Sequence, residues 1–178
     1  MDPVFNIMIS ICMCLLFGVA AIHKLKAPAK FRAAMDNYQL LPQGLSGLMS
    51  MLLITMELGA AAAVLVPVTR ATGLGVMAIL LIVYTAGIGI NLYRGRREID
   101  CGCSGPASRH ELSGWLVLRN LVLLGLVLFA LGPAAERSLN WLDLLTVIFG
   151  AAVASGLYMG LNQLLAQAPR LASLRSGG

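Results

Sequence analysis

Four cysteines carry the chemical potential of this chain, arranged as two pairs with one residue between partners: Cys12 and Cys14, then Cys101 and Cys103. The second pair lies in the polar stretch "EIDCGCSG", residues 98–105. A disulfide across one intervening residue closes a small ring and needs its Cα atoms within ~7 Å. Gly102 makes that turn accessible, because glycine adopts positive φ without a Cβ penalty. Strain in such a ring raises its reduction potential, which favours exchange over permanent bracing. Gly105-Pro106 continues the turn and keeps the segment out of a helix. Arg96, Arg97 and Arg109 flank the pair and favour a thiolate, whereas adjacent Asp100 disfavours one. Thiol–disulfide exchange is therefore the leading chemistry. A soft-metal site completed by His110 or His23 is a second reading, and a chance pairing of cysteines is a third.

Cys12 and Cys14 are a different case. They fall in an apolar run, and residues two apart on an α-helix point ~200° apart, so they cannot bond to each other. Buried cysteine commonly serves as a small apolar residue. The functional alternative is that one of them exchanges with the loop thiols.

The elements that must position these residues follow from composition. The 178 residues are 58% hydrophobic and 12% charged, with mean hydropathy +0.83, which defines a membrane protein rather than a soluble domain. A helical crossing takes ~20 residues, and five apolar runs are long enough: 4–22, 46–67, 71–93, 113–132 and 141–165. The runs are continuous rather than alternating, so a barrel is excluded. The expectation is an all-α integral-membrane bundle of about five transmembrane helices forming one domain over 1–178. The leader "MDPVFN" lacks the basic residues of a signal peptide, so the first run is expected to be retained. Gly156 and Gly160, and the run Ala60 to Ala63, are small-residue positions expected to let helices pack closely.

Polar residues within the runs narrow the site further. Glu57 lies mid-span, where a lone carboxylate is costly, and Arg119 lies about two turns into the fourth run. A structural contact between them is the simple expectation. In the functional alternative Arg119 steadies the thiolate of Cys101 or Cys103, and Glu57 accepts a proton during exchange. Asn91 and Asn120 are expected to make interhelical hydrogen bonds. In segment 23–42, Phe31, Met35 and Tyr38 share one helical face among basic residues, which predicts a short amphipathic helix at the interface, anchored in lipid or docking a partner.

Charge predicts orientation. Lys24, Lys26, Lys30, Arg32, Arg94, Arg96, Arg97, Arg109, Arg170 and Arg175 fall on one side, against Arg70 and Arg137 on the other. The positive-inside rule places the first group in the cytoplasm and the N-terminus in the periplasm. The net charge of +5 then reflects topology and lipid contact, and nucleic acid is not an expected partner.

The stretches "RGRREIDCGCSG" with "LSGWLVLRNLVLL" (Arg94 to Leu124) and "HKLKAPAKFRAAMDNYQLLP" (His23 to Pro42) resemble the methylamine utilisation MauE family, within the DoxX-like group of redox-associated membrane proteins. Ser104 stands where many relatives are expected to carry Phe. The resemblance implies a four-helix core plus one helix, in the bacterial inner membrane. It also implies an accessory role in maturing the disulfide-rich small subunit of methylamine dehydrogenase, alongside a periplasmic thioredoxin-like partner of MauD type. Cys101 and Cys103 would be the exchanging pair, with Cys12, Cys14, Glu57 and Arg119 in support. That substrate is periplasmic, whereas the charge rule places the loop in the cytoplasm. A loop folded back between the helices to meet Cys12 or Cys14 would reconcile the two. The main alternative is a non-enzymatic assembly platform. No cofactor is evident; a quinone is a further option that no motif specifies.

Overall fold

The computed structural model describes residues 2–40, 42, 44–96, 114–133 and 137–176, with side chains described as far as Leu164. Among the described residues every regular element is an α-helix: α1 (Pro3–Lys26), α2 (Pro28–Tyr38), α3 (Ser46–Leu65), α4 (Arg70–Tyr93), α5 (Gly114–Ala130) and α6 (Trp141–Ser176). α1, α3, α4 and the first 24 residues of α6 are long and apolar enough to cross a membrane, and α5 is a shorter apolar helix of 17 residues. The expected helical membrane bundle of about five spans is therefore the fold.

Local chemistry sets the boundaries. Asp2 caps α1 by accepting from the Val4 N–H at 3.0 Å, and Pro3 supplies a helical φ at the first position. α1 runs to Lys26 rather than stopping at 22, because His23, Lys24 and Lys26 are compatible with the negative end of the helix dipole. The chain breaks at Ala27, and Pro28 starts α2. α2 ends at Gln39 in the left-handed region (φ 48). Thr69 closes the α3–α4 corner by donating its hydroxyl to the Ala63 carbonyl at 2.8 Å.

The bundle is apolar outside and mixed inside. Leu48, Leu52, Ile79, Leu142 and Phe149 are exposed, as helices in hydrocarbon require. Met13, Phe17, Ile54, Leu74, Met77 and Val127 pack the centre together with buried Asn91 and Asn120. α3 and α4 approach most closely at Gly73, where a Cβ would lie 2.7 Å from the Val64 Cγ2 and 3.0 Å from the Ala60 carbonyl oxygen. The alanine run thus acts as expected, with Ala60 and Ala61 buried. The Gly156 and Gly160 pair does not: both are exposed, and a Cβ on either would meet nothing within 4 Å. That spacing favours a close contact only where a partner helix lies opposite, and none does among the described residues.

α2 also departs from expectation. Its apolar face turns into the bundle rather than into lipid: Phe31 and Ala34 are buried, and Met35 packs against the core. Its basic residues Lys30 and Arg32 remain outside.

Candidate functional site

The most polar site in the described interior joins three helices. Lys24 reaches inward from the last turn of α1, Glu57 from the middle of α3, and Tyr84 from α4. The Lys24 ammonium donates to Glu57 Oε1 and to the Tyr84 hydroxyl at 3.0 Å, while that hydroxyl donates to the same Glu57 Oε1 at 2.6 Å. The Lys24 and Glu57 side chains are 2% and 1% exposed, so the pair is withdrawn from solvent and lipid alike. Aromatic faces complete the enclosure: Lys24 Nζ lies 4.8 Å from the Phe31 ring centre and 4.7 Å from that of Tyr84. Glu57 Oε2 accepts no hydrogen bond among the described residues. One carboxylate oxygen thus accepts from two donors and the other from none among the described residues.

This pairing overturns the expected Glu57–Arg119 contact. Arg119 instead donates to Asn120 Oδ1 from Nη2 at 3.2 Å and to Asn162 Oδ1 from Nη1 at 3.5 Å, tying α5 to α6. A mid-span carboxylate takes the nearest cation that can be desolvated with it, and Lys24 is delivered by the extra helical turn of α1. Read from sequence, Lys24 is one of a run of headgroup cations, so its role is missed. The available signal is spacing: Met13, Phe17 and Ala21 are buried at helical intervals, and Lys24 falls next on that stripe. Asn91 donates to the Gly87 carbonyl of its own helix at 3.0 Å rather than across helices. Asn120, buried on α5, accepts from its neighbour Arg119 and so orients the guanidinium that reaches α6.

Cys101, Gly102, Cys103 and Gly105 lie outside the described residues, as do Arg97, Arg109 and His110. Arg96 and Gly114 bracket them, so the motif falls between the C-terminal end of α4 and the start of α5. Cys12 and Cys14 are free thiols. Cys12 points its S–H at the Ala151 carbonyl of α6, 3.9 Å away, and Cys14 packs against the core.

The position of these two thiols follows from helix direction. Pro3 and Asn6 share a cleft with Arg70 and Leu74, while Lys24 meets Tyr84, so α1 and α4 run the same way. Cys12 precedes Lys24 by 12 residues, ~18 Å along α1, and Tyr84 precedes Tyr93 by nine, ~14 Å along α4. Cys12 thus lies ~30 Å along the bundle from the end of α4, on the far side of the Lys24–Glu57–Tyr84 cluster. A disulfide needs Cα atoms within ~7 Å, so exchange with the loop would require that loop to run most of the bundle's length.

Helices that expose leucine and phenylalanine and enclose an ion pair define a polytopic helical membrane protein, and the comparisons narrow that class to one family. The profile of the family "Methylamine utilisation protein MauE" matches residues 2–133. The chain is 36% identical over 160 residues to methylamine utilization protein MauE of Methylophilus methylotrophus, covering 89% of this chain and 84% of that protein. It is 33% identical over 155 residues to the MauE of Paracoccus denitrificans, covering 86% and 83%. With the MauE of Paracoccus versutus it shares 34% over 179 residues, 98% of this chain and 96% of that protein. The chain belongs to the MauE family. No solved structure matches it.

Proposed function

We propose that the chain is a membrane accessory protein of methylamine utilisation that supports thiol–disulfide maturation of a periplasmic protein. Its proposed client is the disulfide-rich small subunit of methylamine dehydrogenase, and its partner a thioredoxin-like protein of the MauD type. The observation that carries this reading is the Cys101-Gly102-Cys103 motif between α4 and α5 in a chain of this family. In the exchange, a partner thiolate attacks one sulfur of the Cys101–Cys103 disulfide and expels the other as a thiolate. The second partner thiolate then resolves the mixed disulfide, so two electrons pass from the partner dithiol to the pair. Arg119, five residues into the next helix, is suited to favour the expelled thiolate. The unbonded oxygen of Glu57 supports a role as proton acceptor rather than as a direct contact of the thiols. The protein would reside in the bacterial inner membrane; because α1 and α4 run the same way, direct exchange with a periplasmic partner puts the α4–α5 connection on the periplasmic side and the N-terminus in the cytoplasm, the reverse of the orientation expected from the distribution of basic residues.

A non-enzymatic platform that holds the partner and the immature subunit together is the second reading. It is favoured by the place of Cys12, which lies ~30 Å along the bundle from the end of α4 and bonds the Ala151 carbonyl of α6, a packing role. The test is the variant Cys101→Ser/Cys103→Ser, with small-subunit disulfide content and dehydrogenase activity measured in cells. Loss of both at normal levels of the membrane protein supports exchange; retention of both supports the platform.

A further inference from the structure

Beneath α2 is a cavity of ≈ 210 Å³ between α2, α3 and α4, lined by Phe31, Met35, Met49, Leu53, Val83 and Tyr84 among others. Its lining is almost wholly hydrocarbon; the side chains in it that carry a polar group are Tyr38 and Tyr84, and the Tyr84 hydroxyl is already engaged by Lys24 and Glu57. A water needs about two to four polar partners, which this apolar lining does not offer, so hydrocarbon rather than water suits the space. It is also smaller than the ~300 Å³ at which pockets for whole organic ligands begin, which suits one segment of a chain.

Its mouth shows where that chain comes from. Leu40 and Val83 line the cavity and are 38% and 48% exposed, and Val83 continues into the exposed stripe of Ile79 and Ile82 on α4. The opening is thus continuous with the surface that meets lipid tails. Around it the charge is one-sided. Lys26, Lys30, Arg32 and Arg94 are exposed at this end of the bundle, against the acid Asp36 on α2. The Arg32 guanidinium lies beside Gly47 of α3, where an added Cβ would be 3.4 Å from it, and Arg94 bonds the Gln39 carbonyl at 3.5 Å.

We propose that this cavity binds one acyl chain of an anionic phospholipid, whose headgroup is held by Lys30 and Arg32. Hydrocarbon fills the space under α2 while the phosphate neutralises the basic rim. Because Phe31 and Tyr84 also enclose Lys24, the bound chain packs against the wall of the buried ion pair and braces α2 over it. The proposal stands independently of the thiol chemistry.

The experiment uses the purified full chain in nanodiscs of phosphatidylglycerol or of phosphatidylcholine, each doped with the same lipid bearing a mid-chain diazirine. Cross-linked positions are read by peptide mass spectrometry. Label concentrated at Met35, Met49 and Val83, several-fold stronger with phosphatidylglycerol, is the expected result. Ala34→Phe, which fills the cavity, should cut that label several-fold, and Lys30→Glu/Arg32→Glu, which leaves the cavity intact, should abolish the preference between headgroups. Label spread evenly over Leu48, Leu52 and Ile79, or equal for the two lipids in the unaltered protein, would overturn the proposal. Displacement of the label by added ubiquinone but not by phosphatidylglycerol would also overturn it, reassigning the cavity to an isoprenoid quinone.

Discussion

Lys24 and Glu57, 33 residues apart in sequence, form a buried ion pair that locks the end of α1 to the middle of α3. Withdrawing two charges from water is tolerable only because each neutralises the other and Tyr84 shares the load. Removing one partner is therefore far worse than removing both. Lys24→Met alone should destabilise the protein by ~3–5 kcal/mol, since an uncompensated charge remains buried, whereas Lys24→Met combined with Glu57→Leu should recover much of that loss. Thermal unfolding in detergent of the two single variants and the double variant reads the coupling directly; additive losses would contradict it.

Tyr84→Phe keeps the ring beside Lys24 and removes the hydroxyl that bonds both charged partners. The expected cost is ~1–3 kcal/mol, the range for leaving a buried partner under-satisfied. It should be smaller than that of Lys24→Met in the same unfolding assay.

Close packing gives a contrast between glycines. Gly73→Val places a side chain where even a Cβ would lie 2.7 Å from Val64 and 3.0 Å from the Ala60 carbonyl, and backbone cannot yield as a side chain can. A loss of ~1–3 kcal/mol or more is expected from such overpacking. Gly156→Ala and Gly160→Ala, inside α6 and facing open space, should not destabilise and should gain up to ~0.5–1 kcal/mol each from the better helix former. Parallel melting curves check both statements.

For the thiols, Cys12→Ser/Cys14→Ser should leave client maturation near its normal level, because Cys12 lies ~30 Å along the bundle from the end of α4 and bonds the Ala151 carbonyl, while Cys14 packs in the core. A block as complete as that of Cys101→Ser/Cys103→Ser would instead restore the relay between the two pairs. Disulfide content of the mature subunit, measured by thiol alkylation and mass shift, distinguishes the outcomes.

Much of the architecture is legible from composition, since long runs such as Arg70–Tyr93 have few ways to satisfy their backbone in lipid other than as helices. The packing role of Ala60 and Ala61 and the apolar face of α2 are legible for the same local reasons of size and period. Partner choice is not. Glu57 announces that it needs a cation, but its distance in sequence from Lys24 and Arg119 says nothing of which one arrives. The extension of α1 through Lys26 decides that, carrying Lys24 onto the buried stripe. The same holds for Gly156 and Gly160, whose spacing describes a surface without saying whether another helix lies against it.

By itself, then, the chain's order of residues determined the membrane class, the helices and the presence of a thiol pair in the α4–α5 connection, because each depends on hydropathy and spacing along one segment. Only the tertiary structure decided that Lys24 rather than Arg119 neutralises Glu57, that α2 folds inward over an apolar cavity, and that Cys12 turns to the Ala151 carbonyl of α6. Those depend on how far each helix runs and which faces meet, quantities summed over the whole bundle and held in no single stretch of it.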